Sequence, residues 1–287
     1  MSSLKLAAHA KVNLCLCLGT RQADGFHAID TIFHSLALHD DVRLDVQPGS
    51  GRVTLEVEGD PTVPEDDTNL AWRAAHMVLG PAPFDVHVRL LKRIPSGAGL
   101  GGGSADAAAV LVGLNSMLPE PIFDDALLEL AAHLGSDVPF AVRGGTARGR
   151  GRGQLLTTLP TPSGWHFVLV KPPFSIATAW CYGEWSKEAR LLDGRAVCVP
   201  AGDVRATLHN DFEPVVFPQY PALATIKQRL LAAGCLGALM TGSGSCVYGM
   251  VPTADEAERV AKAIADVPGL VLTTASRDQG VGQVVLR

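Results

Sequence analysis

The sequence predicts an α+β fold of two domains with a ligand cleft between them. Three observations carry this. The chain has 287 residues, 47% of them hydrophobic, enough for one large or two medium cores. Segments with strand and helix periods are interspersed without the steady alternation of a doubly wound sheet. A stretch rich in Gly and Arg from Gly144 to Gly153 has neither period and reads either as a domain joint or as a return strand with a tight turn. The division that follows is 1–157 and 158–287.

The elements follow in chain order. From Lys11 to Leu18 the residues alternate, with Val12, Leu14, Leu16 and Leu18 on one face and Lys11, Asn13, Cys15 and Cys17 on the other; that is a strand, and Lys11 and Asn13 project from it side by side. A turn at 23–25 leads into an apolar segment from Ile29 to Leu38. Val42 to Val46 and Val53 to Val57 predict a hairpin across Pro48-Gly-Ser-Gly51. Thr68-Asn69 suits the N-cap of a helix reaching Leu79, and Val86 to Leu91 is a strand. Helices follow over Ser104 to Met117 and Asp124 to Leu134; Gly135-Ser136 stops the latter, and Asp137-Val-Pro139 starts a short one with proline in its first turn. The second half predicts strands at Phe167 to Val170, Gly237 to Met240, Cys246 to Val251 and Leu270 to Thr274. Its helices fall near Ala177 to Leu191, Pro221 to Ala233 and Asp255 to Asp266.

Composition excludes several function classes. A net charge of -5 argues against general nucleic-acid binding, which shows as a basic excess. The six cysteines form no Cys-x-x-Cys pair and read as reduced, mostly buried thiols of a cytosolic protein. No apolar segment is long enough to span a membrane, and His9, Lys11 and Asn13 interrupt the apolar N-terminus in a way a signal peptide would not. Composition leaves monomer against weak homodimer open.

The least random feature is the loop from Pro95 to Ser104. Five of the nine residues from Gly97 to Ala105 are glycines, and an alanine-rich helix follows. Glycine lets backbone N–H groups turn toward a ligand, and the helix N-terminus adds roughly half a positive charge, so the pair forms an anion cradle, most often for phosphate. Gly97-x-Gly99-x-x-Gly102 matches the dinucleotide fingerprint in form, but it lies a third of the way along the chain, and only Glu120 approximates the required acidic position. No Gly-Lys dipeptide supports a Walker A loop, and the absence of His-Arg-Asp and Asp-Phe-Gly excludes the protein-kinase set. A flexible linker would not abut so dense an apolar helix.

Three motifs in order complete the reading. The segment from Pro95 resembles the phosphate-binding motif of the GHMP kinases, Gly237-Ala-Leu-Met-Thr-Gly-Ser-Gly-Ser-Cys246 their C-terminal glycine motif, and Ala8-His-Ala-Lys-Val-Asn13 their N-terminal one. Lys11-Val-Asn-Leu14, Ala23-Asp-Gly-Phe-His27, Leu100-Gly-Gly-Gly-Ser104, Gly135-Ser-Asp-Val-Pro139 and Asn210-Asp-Phe-Glu-Pro214 are similar to the branch that phosphorylates the 2-hydroxyl of a CDP-linked methylerythritol in the non-mevalonate isoprenoid pathway. The resemblance implies a soluble cytoplasmic enzyme using ATP and Mg²⁺ on a small CDP-linked polyol, with no nucleic acid or membrane partner.

It also implies site roles. Asp137 becomes the base for the attacking hydroxyl and Lys11 its electrostatic partner; alone, the first would read as a helix cap and the second as a solvated strand lysine. Pro95, Gly97, Gly99, Leu100, Gly101, Gly102 and Gly103 wrap the phosphates of ATP. Ser104 contacts phosphate or Mg²⁺, where the plain alternative is a helix cap. Asn69 and Lys92 fall near the adenine, against readings as an exposed cap and a surface lysine. Phe26, His27 and Tyr182 recognise cytosine, although Phe26 and Tyr182 alone would more often be core residues. Asn13 lies beside Lys11 on the substrate side. Thr178 shares a helix face with Tyr182, and Gly242, Ser243 and Gly244 hold the substrate diphosphate. Phe26 departs from the tyrosine frequent in the family, so stacking is retained and any hydroxyl contact is lost. Gln154 stands where glutamate is common, with no catalytic role assigned. A homoserine- or mevalonate-type kinase has no evident use for the aromatic residues, and a non-catalytic sensor on the same fold would lack the lysine or the aspartate.

Overall fold

A computed structural model describes residues 2–23, 25–79, 84–161, 164–188, 207–281 and 285–286. The alternating N-terminal window lies inside a much longer element. β1 spans Ser2–Arg21 and β2 His27–Pro48, antiparallel with irregularities in register at His9/Lys11 and Asn13/Cys15. Both faces of β1 are buried around its centre, so the polar face carrying Lys11 and Asn13 is covered by protein rather than bathed in water.

The predicted hairpin does not form. β2 instead pairs antiparallel with β4 (Phe84–Leu91), and β3 (Val53–Glu58) pairs with β4 in parallel. Asp85 supplies the physical reason: its carboxylate accepts from the backbone N–H groups of Ser50 and Arg52 at 2.8 and 2.9 Å. The 48–52 turn therefore wraps around the start of β4, which takes the place beside β2 that a hairpin partner would occupy. Between β3 and β4 runs α1 (Leu70–Leu79), capped as predicted by Asn69 Oδ1, which accepts from Ala71 N at 2.9 Å.

The helices α2 (Gly102–Met117), α3 (Asp124–Leu134) and α4 (Val138–Arg143) join α1 over this sheet. One apolar core forms there from Leu4, Leu6, Val42, Leu44, Val88 and the alanines and leucines of α1 and α2. β5 (Thr146–Gly151) pairs with β2 and then with β6 (Leu155–Leu159). Of the two readings of the Gly/Arg stretch, the return strand with a tight turn is the one observed.

The second half contains β7 (His166–Lys171), α5 (Thr178–Glu188), β8 (His209–Asn210), α6 (Glu213–Gln219), α7 (Pro221–Ala232), β9 (Gly237–Met240), β10 (Val247–Val251), α8 (Ala254–Ala263), β11 (Leu270–Arg277) and β12 (Val285–Leu286). Sheet order runs β12-β1-β2-β11-β7-β10-β9. β11 pairs with β7 along most of its length and with β2 at Ser276 and Arg277, which joins the two halves. A second core packs around Val168, Val170, Phe212, Leu223 and Leu230, and a third lies between the halves, with Val12, Leu14, Leu100, Phe167 and Tyr248.

The helix expected from Ala177 is described as far as Glu188, and its predicted end at Leu191 lies outside the described residues, as does Cys198. Cys17, Cys181, Cys235 and Cys246 are free and buried, whereas Cys15 departs from the all-reduced reading and is disulfide-bonded. No described helix is long and apolar enough to cross a membrane.

Candidate active site

Two glycine loops meet over β1. Lys11 N donates to Leu100 O at 2.9 Å, fixing the first loop along the strand. Gly99 and Gly101 adopt φ of 74° and 75°, a left-handed conformation that side chains resist. A Cβ on Gly99 would lie 2.2 Å from Thr241 O, so the second loop approaches to backbone contact. Thr241 Oγ1 donates to Gly99 O and accepts from Asn13 N, both at 3.1 Å, and thereby ties β1 and both loops together. Asn210 Nδ2 donates to Met240 O and Gly242 O at 2.6 and 2.8 Å, while Glu213 Oε1 accepts from Met240 N at 2.9 Å. The Asn210–Pro214 motif, to which the sequence assigned no chemistry, is thus the brace of the second loop.

A cleft of about 850 Å³ opens where the loops meet, and a smaller cavity of about 160 Å³ lies beyond the first loop. Gly99 and Gly101 line both, so the first loop is the wall between them. The larger cleft gathers Lys11, Asn13, Phe26, His27, Asp137, Thr178, Tyr182, Gly242 and Ser243. The smaller one gathers Asn69, Lys92, Pro95, Gly97, Leu100, Gly102 and Gly103. Two predicted site residues, Ser104 and Gly244, line neither. The helix begins two residues earlier than predicted, capped by Gly101 without a side-chain bond. Ser104 therefore sits inside the first turn and is not its cap.

At the centre of the cleft, Lys11 Nζ lies 3.3 Å from Asp137 Oδ2 and donates to Asn13 Oδ1 at 2.8 Å. Asn13 is itself held, its Nδ2 donating to Thr31 Oγ1 at 2.8 Å, so its amide oxygen is fixed toward the lysine. Lys11 also packs against Gly101, where a Cβ would be 3.0 Å from Lys11 Cγ. Asp137 immediately precedes α4, its side chain caps nothing, and it is 31% exposed to the cleft. Asp137 thus holds the N-cap position without a side-chain cap bond, and its carboxylate faces Lys11 instead.

The far end of the cleft is aromatic. His27 stacks on Tyr182 with centroids 5.3 Å apart and planes 19° from parallel, and Tyr182 meets Phe212 edge-on. Burial pushes the Tyr182 phenol up to about 12, so it stays neutral. Phe26 is 53% exposed, not a core residue, and the Arg152 guanidinium lies over its ring at 4.0 Å. His27 is less available than the sequence suggested: Nδ1 is 3.1 Å from Gly19 O and Nε2 3.0 Å from Ser186 Oγ. Thr178 Oγ1 meets Ser243 Oγ at 2.9 Å, linking α5 to the second loop. Arg21, Arg152 and Ser186 also line this end and were missed by sequence reasoning. Only the run of alternating glycines and arginines hinted at one of them.

Around the smaller cavity the surface-lysine reading of Lys92 fails. Its side chain is 3% exposed and ion-pairs with Asp40 and Asp106. Asp40 also accepts from Arg93 N and Ile94 N, whereas Asp106 Oδ1 has no protein partner. Burial raises the Asp106 carboxyl pKa despite the adjacent ammonium. Asn69 is buried as well, its amide spanning Pro64 O and Ala71 N. The ammonium of Lys92 and the amide of Asn69 are thus both engaged within the protein.

Comparison with known proteins decides the family. The model for the GHMP kinases N terminal domain matches residues 69–145, and that for the GHMP kinases C terminal domain residues 201–268. The 4-diphosphocytidyl-2-C-methyl-D-erythritol kinase of Pelotomaculum thermopropionicum is 43% identical over 88% of this chain and 91% of its own length. That of Moorella thermoacetica is 41% identical over 95% of this chain and 99% of its own. The chain belongs to the 4-diphosphocytidyl-2-C-methyl-D-erythritol kinase family, within the GHMP kinases. A crystal structure of 4-(cytidine 5'-diphospho)-2C-methyl-D-erythritol kinase superposes on this kinase with a TM-score of 0.78 at 34% identity, covering 95% of this chain and 98% of that one. A mevalonate kinase from L. major, at 17% identity and a TM-score of 0.72 over 96% of each chain, shares the fold.

Proposed function

We propose that the chain transfers the γ-phosphoryl group of ATP to the 2-hydroxyl of 4-diphosphocytidyl-2-C-methyl-D-erythritol, a step in non-mevalonate isoprenoid biosynthesis. The observation that carries this reading is the Lys11–Asp137 pair, 3.3 Å apart, in a cleft with a glycine loop on one side and aromatic residues at its far end. Phosphoryl transfer needs positioning, charge neutralisation and an acceptor for the hydroxyl proton. Asp137 takes that proton as the oxygen bonds to the γ-phosphorus and the bond to ADP breaks. Lys11, 3.3 Å from the Asp137 carboxylate, holds it in place and offsets charge on the transferring group. The N–H groups from Gly97 to Gly103, at the positive end of α2, hold the donor phosphates.

Cytosine binds at the aromatic end, stacked against Phe26 and Tyr182, and takes over His27 Nε2 from Ser186. Thr178, Ser243 and the 242–244 backbone hold the diphosphate. Adenine lies toward the smaller cavity, beside Asn69 and Lys92. Asp137 and Ser104 are hard oxygen donors of the kind Mg²⁺ takes, and no described cluster of three ligating side chains lies at the cleft. A metal that arrives on ATP with few protein ligands fits that donor set. Ser104, on the first turn of α2 at the edge of the glycine loop, would be its protein contact, the metal would supply charge neutralisation on the phosphates, and EDTA should abolish turnover until Mg²⁺ is restored. We assign the protein to the cytoplasm.

The test is ADP release with the CDP-linked substrate beside homoserine and mevalonate. Turnover confined to the CDP-linked compound supports the reading, and turnover of homoserine without it overturns the substrate.

A further inference from the structure

The run Arg148-Gly-Arg150-Gly-Arg152-Gly153 is not absorbed by the reaction above. Arg148 is structural, pairing in two-pronged fashion with Asp30 at 2.8 and 2.5 Å. Arg152 is placed differently. It sits at the tip of the β5–β6 turn, between Gly151 and Gly153, whose φ values are 72° and 112°. The turn is closed by Gly153 N donating to Arg150 O at 3.0 Å, and Arg152 N donates to Gln154 Oε1 at 2.8 Å. β5 in turn pairs with β2 from Ile29 to His34. A sheet-anchored turn thus presents the Arg152 side chain to the cleft, and its guanidinium carbon lies 4.0 Å from the centroid of the Phe26 ring.

Phe26 is over half exposed and carries no hydroxyl through which a hydrogen bond could hold it. A ring so placed can be fixed only through its faces and edges. A guanidinium over one face is attracted by the ring quadrupole and fixes the plane of the ring at the cleft wall.

We propose that Arg152 is a positioning residue of the acceptor site: it caps Phe26 and holds that ring as the wall on which the substrate's pyrimidine base stacks. This rests on the cytidine reading above. Gln154 then has a role too, as the residue that shapes the turn from beneath.

Steady-state kinetics of Arg152→Ala, Arg152→Lys, Phe26→Leu and Phe26→Leu/Arg152→Ala test the proposal, with thermal melts to verify folding. Arg152→Ala should raise the KM for the CDP-linked substrate about tenfold, while kcat and the KM for ATP stay within about twofold. Arg152→Lys, which keeps the charge but not the planar group, should fall between. In the Phe26→Leu background the arginine should no longer matter, because it acts through the ring. An unchanged KM in Arg152→Ala, a loss confined to kcat, or a full arginine effect without Phe26 overturns the proposal. Failure of the cytidine reading itself would look different: the unaltered enzyme would not turn over the CDP-linked substrate at all.

Discussion

Asp137→Asn probes the proposed chemistry with little change in shape. At the observed 3.3 Å and an effective dielectric near 20, the Lys11–Asp137 attraction is about 5 kcal/mol before desolvation and solvent screening reduce it. The substitution removes that attraction and the proton acceptor together, yet Lys11 keeps its 2.8 Å bond to Asn13, so the cation stays in place. Loss of general-base catalysis lowers kcat by about 10²–10⁴, or roughly 3–5 kcal/mol of barrier. Because neither glycine loop contacts the Asp137 carboxylate by a hydrogen bond among the described residues, the KM for ATP should change little. Coupled ADP-release kinetics would read both parameters, and a single-turnover quench would separate chemistry from product release. A kcat within tenfold of the unaltered enzyme would refute Asp137 as base.

Three further outcomes follow from the geometry. Gly99→Ala places a Cβ 2.2 Å from Thr241 O at a φ of 74°; the left-handed strain alone is about 1–2 kcal/mol, so urea unfolding should show a larger loss and the KM for ATP should rise. Lys92→Met strands two buried carboxylates and should destabilise the fold by about 3–5 kcal/mol, measured in the same way. His34 is buried between Thr146 Oγ1 and Ser276 Oγ, and burial lowers its pKa to about 4. The unfolded chain, with its imidazole near 6.5, binds the proton first, so stability is lost as pH falls from about 6.5 toward 4, by up to about 3 kcal/mol. His34→Gln should flatten that part of the pH–stability curve by one proton; an unchanged slope would show that His34 is not the linked group.

What the sequence disclosed, and what it did not, divides along a physical line. Locally encoded features were legible: the Asn69 cap, the span of α3, the proline-started α4, and Lys11 beside Asn13 on one strand. So were loops whose glycines answer to a positive φ. Features decided by distant partners were not. The hairpin failed because Asp85 of β4 captured the turn, and β8 and α6 went unseen. For Lys92 the alternative of a surface lysine stayed open beside the adenine reading, because nothing near it in sequence shows Asp40 and Asp106 converging on it. Ser186 and Arg152 reach the cleft only through the fold, the first by its contact with His27 and the second across a turn.

Transfer of the phosphoryl group to the 2-hydroxyl of the CDP-linked substrate can be read directly from the product by ³¹P NMR. In a 2-C-methyl sugar alcohol the carbon bearing that hydroxyl carries no hydrogen. The new phosphomonoester should therefore show no three-bond coupling to a proton, and it should appear in step with ADP. A phosphomonoester signal split by neighbouring protons, or ADP formed without any new ester, would contradict the account.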